Sequence, residues 1–582
     1  MFARAMPARF GRPPRIILIT VVLALVGGGV WAVGVGARPR AKDPRPSNIN
    51  NCRKKTGPRS CLPRAPGSRG LRLAKIKPHK SGKFPHFNAP RGEERANEDV
   101  PWRPPGKPPR GKLAPTDKSS SVAARLRAGI ASTIFSTNTS LQNTVDFCRN
   151  GGCSLPPDSS GADSGKIVLA TGNWKSFGAV SSNAGATFRL LDPTTIFPSG
   201  PSFTTSGGKR VQLDSGMCCD QVVQYVPKIN RFIWLMQFGG ACGGTCGTNK
   251  LRIAAATPAV VAGGGTWTYW DLTSATFGLP SSTPNMDYPD LAVGTNDLYV
   301  SVDNVGAGLL VMRIPLSQIA ASSTIGIGYT TPSDSASAYG GHLTQNVGDT
   351  AYWAGHVDNR TMRVFSMKDS ENVYRWRDVG INSWCNGDRS SKVPGGTDWL
   401  AFGFPGNAVL GSTLRSSRGE LWFAWGAGHA MAAGTPGTCR FAQSHIQIEV
   451  LRASDFHAIS QMQVWNKSIA FAYPSLATNP KGDVAMSLGY GGGGGDAAHA
   501  VGFWGDFVVF TTTGGDDSIN RFGDYVTVRR SWPNTNDFSA EGYSTKAATA
   551  TNSCPSNGTF AAGFGSSSNF CFDPHYVRFR HS

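Results

Sequence analysis

YPDLAVGTNDLYVS at residues 288–301 and YPSLATNPKGDVAMS at 473–487 decide the fold. Both open on Tyr-Pro, run through Leu-Ala into a turn of Gly, Asn, Asp or Lys, and resume as alternating apolar residues. That is the pattern of two short antiparallel strands joined by a tight turn. Related pairs begin at Asp220–Tyr225 with Arg231–Leu235, at His342–Thr344 with Thr350–Trp353, and at Val409–Leu414 with Glu420–Phe423. Gly523–Val528 and Ile167–Ala170 supply two further starts, and the spacing is roughly 50 to 70 residues. Each pair is followed by a glycine-rich loop and another apolar strand, as in Val305–Gly308 before Leu309–Met312 and Ala427–Ala430 before His445–Ile448.

A unit of three or four strands is too small to bury both of its faces. Recurrence at this period therefore predicts an all-β, six- or seven-bladed β-propeller over residues 165–582, each blade hiding its apolar faces against its neighbours. Composition agrees. Gly contributes 71 of 582 residues and charged residues only 16%, which suits strands and turns rather than helical bundles.

The net charge of +21 is a local property. Residues 1–115 carry 25 Lys and Arg against 5 acids, and the remainder carries 33 against 32. Arg4, Arg9, Arg12 and Arg15 form a basic segment, 1–15, before the uncharged run 16–37. That run is long enough to span a bilayer as an uncleaved anchor, and Val35-Gly36-Ala37 offers a signal-peptide cleavage site instead. Residues 38–115 are rich in Pro, Lys and Arg, which predicts a disordered linker, and 116–164 reads as a lead-in segment. The linker's charge suits lipid headgroups or a polyanionic wall polymer. Nucleic acid is disfavoured because the few aromatic residues among the charges do not suggest base stacking.

Twelve cysteines, an even number, point to an oxidising compartment outside the cell membrane. The close pairs are Cys52 with Cys61, Cys148 with Cys153 and Cys554 with Cys571, leaving Cys385 with Cys439. Cys218 and Cys219 either pair with Cys242 and Cys246, the favoured arrangement, or bridge each other at the channel rim. A zinc site on those four is the competing reading, and adjacent cysteines suit one tetrahedral ion poorly.

Ser182-Asn183-Ala184-Gly185-Ala186-Thr187-Phe188 resembles the Asp-box turn of sialidase-like propellers. Asn183 stands where that family has Asp and Phe188 where it has Trp. The resemblance makes Ser182, Asn183, Gly185, Thr187 and Phe188 structural, on the face opposite an active site. The final blade, Gly523–Tyr525 with Phe538–Tyr543, also looks like the closing blade of secreted bacterial propellers. Met312-Arg313-Ile314-Pro315 looks like the sialidase arginine motif but lies mid-chain rather than in the first blade. Sialidases use a nucleophilic Tyr with a Glu, and Glu541 and Tyr543 share one face of a strand.

In a propeller the residues just before each innermost strand ring the channel mouth. Asp220, Asp290, Asp524, Tyr288, Arg521 and His342 are accordingly the candidate catalytic residues. Such acids could act as proton donor and base or hold a channel cation such as calcium; no other cofactor is implied. His356, His429 and His499 are expected on the opposite face as structural residues. Two functions follow. One is a membrane-tethered propeller recognising glycan or cell-surface protein, and the other a sialidase-like glycoside hydrolase or lyase acting on extracellular glycans.

Overall fold

A computed structural model describes residues 67–82, 133–141 and 157–581, the last apart from 174–177, 241–247, 280–285, 305–307, 337, 339, 402–407, 494, 505, 511–521 and 548–569. The predicted span at 16–37 lies outside the described residues, and no described helix is long and apolar enough to cross a membrane.

Seven antiparallel sheets form seven blades. The first holds Ser160–Asp163, Val168–Thr171, Gly178–Ser181 and Arg189–Leu190, and the second Met217–Val226, Arg231–Phe238, Lys250–Ala256 and Thr268–Thr273. The third holds Asp287–Val293, Asp297–Asn304, Gly308–Pro315 and Ile325–Tyr329. In the fourth, Thr350–Asp358, Thr361–Lys368 and Val373–Gly380 face an inner segment reduced to the Leu343–Trp353 bridge. Val409–Arg415, Glu420–Ala427, His445–Arg452 and Ala458–Val464 make the fifth, and Ala470–Thr478, Val484–Gly492, Gly495–Phe503 and Asp506–Phe510 the sixth. Thr527–Arg530, Phe538–Ala547 and Phe570–His581 make most of the seventh.

The repeat period therefore resolves to seven, with one shift. Ile167–Ala170 overlaps the second strand of its blade, and the inner strand is Ser160–Asp163. The propeller also begins earlier than residue 165. Thr133–Ser140 pairs with Phe570–His581 as the outermost strand of the seventh blade, so hydrogen bonds between the two ends of the domain close the ring.

Packing shows why no blade stands alone. Seven apolar clusters are buried, one at each blade-to-blade interface. Between the second and third blades Leu235, Ile253 and Trp270 meet Leu298, Val300 and Met312. Between the fifth and sixth, Trp422 and Ile448 meet Phe471 and Met486. Burying a side chain of this size stabilises by about 1.5–3 kcal/mol, and it is the neighbouring sheet that excludes the water.

Between the fourth and fifth blades the inner segments pair by backbone, Gln345 N donating to Ser412 O at 2.9 Å and Leu414 N to Gln345 O at 3.0 Å, and elsewhere side chains link inner strands to the next blade. Ser160 Oγ accepts from Val223 N at 3.1 Å, Asp290 Oδ2 from Leu343 N at 3.0 Å, Ser475 Oγ from Val528 N at 3.1 Å, and Thr527 Oγ1 from Gly161 N at 3.3 Å. Each bond ties one blade to the next around the axis.

Residues 67–80 depart from the expected disordered linker. His79–Lys80, Arg72–Ile76 and Gly67–Gly70 add a further outer strand to the second, third and fourth blades. Ala74 and Ile76 pack inward, His79 stacks on Tyr269 at 5.2 Å, and Arg69 pairs with Asp334 at 3.0 Å. Gly67 is required here, because a Cβ would sit 2.1 Å from the Trp376 ring. An outer edge strand offers unpaired backbone groups to any extended segment, which is why composition did not reveal the strap.

Candidate functional site

Antiparallel register fixes which loops share the mouth. Asp287 lies opposite Asp303, and Asn304 opposite Gly308. The start of an inner strand thus sits beside the loop joining second and third strands. His356, near the end of a second strand, and His429, just after one, are therefore on the mouth side, and His499 lies at the middle of a third strand. The expectation that all three sit in equivalent loops on the opposite face is wrong, because it placed the glycine-rich loops after the innermost strand rather than after the second.

The mouth is built from a repeated backbone irregularity. Register shifts by a bulge between Met217 and Gln221, Asp287 and Asp290, and Ala472 and Ser475. Within them Cys219, Tyr288 and Tyr473 have φ of 54°, 51° and 54°, and Asp158 before the first inner strand has 40°. Left-handed backbone in bulky residues is uncommon. It persists here because the inter-blade bonds and the aromatic packing around the axis hold it.

These bulges bring opposite blades into contact. Tyr288 of the third blade donates its hydroxyl to Asp524 O of the seventh at 2.7 Å. Its ring stacks on His342 at 5.1 Å and meets Tyr525 edge-on at 5.6 Å. Asp158 Oδ1 accepts from Asp524 N at 2.7 Å and from the Tyr543 hydroxyl at 3.3 Å. Gly523 makes room, since a Cβ there would lie 1.6 Å from the Tyr543 oxygen. Trp399, Phe522, Tyr473 and Tyr543 complete a buried aromatic layer. At this level the channel is plugged.

The candidate residues converge, but inside the plug. Asp220, Asp290 and Asp524 are 6%, 3% and 9% exposed, and Tyr288 and His342 are equally buried. Arg521 lies outside the described residues. Asp220 N donates to Gln237 Oε1 at 3.1 Å, and Gln237 Nε2 donates to Asp287 Oδ1 of the next blade at 2.8 Å. Asp290 Oδ1 lies 3.5 Å from Arg529 Nη2 across the channel. His342 Nδ1 bonds Leu410 O at 2.8 Å, and burial lowers its pKa, so the ring is neutral near pH 7. Burial, then the charges of Asp220, Asp158, Asp524 and Asp290, push the Tyr525 phenol well above its ordinary range. It stays protonated, and its buried hydroxyl makes no hydrogen bond among the described residues. Among the described residues no group of three His, Cys, Asp or Glu is placed to hold a metal ion.

Asp158 and Arg529 escaped the sequence reading. Asp158 stands just before its inner strand, and alternation in Thr527–Arg530 points Arg529 inward, so both carried a signal. Glu541 and Tyr543 do share a face. Glu541 is 1% exposed, packs under Gly161 with neither oxygen hydrogen-bonded, and burial raises its pKa well above the ordinary value. Arg313 lies far from a substrate role. Its guanidinium donates to the carbonyls of Lys368, Asp369 and Glu371 and clasps a turn of the next blade.

Cys218 and Cys219 bond to each other, which takes both out of the favoured pairing with Cys242 and Cys246 and out of a zinc site. Both are half-buried at the mouth, next to the Asp220–Gln237–Asp287 link. Cys385 pairs with Cys439. The other expected bridges fall outside what the structure describes. Cys52, Cys61, Cys148, Cys153, Cys242, Cys246 and Cys554 are outside the described residues. Cys571 is described in its backbone alone, opposite Lys546 in the last strand.

In the turn at 181–188 it is Ser181, not the exposed Ser182, whose hydroxyl accepts from Gly185 N at 2.9 Å. Asn183 Oδ1 accepts from Thr187 N at 2.9 Å, and Phe188 packs edge-on to Tyr576 at 5.7 Å.

No family model and no curated protein matches this sequence. Solved structures similar to it are propellers. The Dos1 propeller aligns over 78% of this chain and 94% of its own at 8% identity and a TM-score of 0.34. An α-L-arabinanase of Penicillium chrysogenum covers 77% and 97% at 10% identity and 0.28. The fucose-specific lectin of Aleuria aurantia covers 56% and 87% at 11% identity and 0.27. These similar structures thus include a glycan-binding lectin and a glycan-acting enzyme, and none singles out the sialidase-like group. Likeness at this level carries nothing about chemistry.

Proposed function

We propose that this chain is an extracytoplasmic recognition propeller, held at the membrane by residues 16–37, that binds glycan at its mouth without turnover. One observation carries the preference for binding. The acids expected to perform acid–base chemistry, Asp220, Asp290 and Asp524, are enclosed in the channel plug, where Asp290 accepts a backbone hydrogen bond and faces Arg529. A hydrolase needs its acid and base within reach of a substrate oxygen. The described mouth also offers the half-buried Cys218–Cys219 disulfide, an apolar surface connected through Asp220 and Gln237 to the exposed carboxylate of Asp287. Those are the two elements sugar recognition requires.

The test is a glycan array with the full chain, run beside a turnover assay on the same glycans. Binding without product, weakened at least tenfold in Asp287→Ala and unchanged in Asp220→Asn and Asp524→Asn, supports the proposal. Product formation abolished by Asp220→Asn or Asp524→Asn would replace it with the hydrolase reading.

A further inference from the structure

We infer that the strap at residues 67–80 is a second binding site, a preformed cationic ridge that takes a linear acidic polysaccharide bearing carboxylate or sulfate groups. It lies on the outer edges of the second to fourth blades and does not depend on the proposal for the mouth.

Alternation sorts the side chains of the strap. Leu71, Ala74 and Ile76 pack against the clusters between the second, third and fourth blades. Leu73, Lys75 and Lys77 are left exposed, with Leu73 at 74%. Residues two apart in a strand are separated by about 6.8 Å, so these side chains form a row rather than a patch. The third blade's outer strand beneath them, Ile325–Tyr329, has no charged residue, and among the described residues neither Lys75 nor Lys77 has an ion-pair partner. By alternation Arg72 falls on the side of Ala74 and Ile76, its guanidinium lying over Tyr329 at 5.2 Å, and Arg375 on the fourth blade is paired with Glu371, so the charges of the row are Lys75 and Lys77.

A free basic arm would have to be ordered by each partner it meets, whereas this segment has already lost that entropy to strand pairing. The ridge is one strand wide, which fits a linear polymer better than a plane of headgroups. Its single ring, His79, is already stacked on Tyr269 at 5.2 Å rather than standing free for a base, and Leu73 offers apolar contact to the carbon–hydrogen face of a sugar.

The experiment measures binding of the full chain to polygalacturonate at several salt concentrations, with duplex DNA and phosphatidylglycerol vesicles as parallel probes. Lys75→Glu/Lys77→Glu is compared with Arg110→Glu/Lys112→Glu, an equal charge change elsewhere in the basic segment. The ridge predicts that the first pair weakens polygalacturonate binding about tenfold and lowers the log–log salt slope by about two, with less than a twofold effect from the second. Equal losses in both pairs, no loss in the first, or no salt-dependent binding at all would overturn it. Equal capture of DNA or vesicles through Lys75 and Lys77 would overturn the assignment to polysaccharide. Both lysine side chains are exposed, and Lys75→Ala/Lys77→Ala serves as a second variant that introduces no new charge.

Discussion

Replacing Asp290 by Leu tests whether the acids of the mouth serve structure. Asp290 is 3% exposed and Arg529 5%, with 3.5 Å between Oδ1 and Nη2, and Oδ2 accepts from Leu343 N at 3.0 Å. The substitution leaves a buried guanidinium without its carboxylate and an amide without its acceptor. Losing one partner of a buried pair costs about 3–5 kcal/mol and orphaning an amide about 1–3 kcal/mol. The two losses share one site and overlap, so the expected total is about 4–6 kcal/mol. The double variant Asp290→Leu/Arg529→Met removes the stranded charge and should cost only about 1–2 kcal/mol. Urea unfolding of the three proteins, followed by tryptophan fluorescence, reads the difference as midpoint shifts. A single variant within about 1 kcal/mol of wild type, or a double variant less stable than the single, would refute the reasoning.

Two further predictions concern pH. Burial holds Glu541 protonated in the folded chain, whereas the unfolded chain releases that proton above about pH 4.5. Its contribution therefore declines as pH rises above about 4.5, and Glu541→Gln should raise the melting temperature at pH 7 with no gain at pH 4. His356, between Trp384 at 4.9 Å and Trp425 at 4.4 Å, is pushed by burial to about 3. The unfolded chain gains a proton there below about pH 6.5 and the folded chain does not, so stability falls as pH drops from 6.5 towards 3. His356→Leu should shift acid unfolding to lower pH, and an unmoved midpoint would show that the ring is already charged in the folded state.

Much of the ring was legible because it is local. Tyr288-Pro289-Asp290 and Tyr473-Pro474-Ser475 announce a strand start through turn chemistry and period-two alternation, and both sit where the repeat places them. The convergence of Asp220, Asp290, Asp524, Tyr288 and His342 on one axis followed from the same spacing. Their burial did not. Tyr288 and Asp524 are 236 residues apart in the chain, and only closure of the ring puts the phenol on the carbonyl.

What the amino-acid order determined by itself was the blade, since apolar alternation and glycine turns act over a few residues. What tertiary structure decided was everything depending on partners distant in the chain. It plugged the mouth, bonded Cys218 to Cys219, and took residues 67–80 and 133–140 as outer strands of four blades. The physical reason is that strand pairing at an edge is made by backbone groups every residue carries. Side-chain pattern marks a segment able to pair, and the geometry of the assembled ring selects which edge it meets.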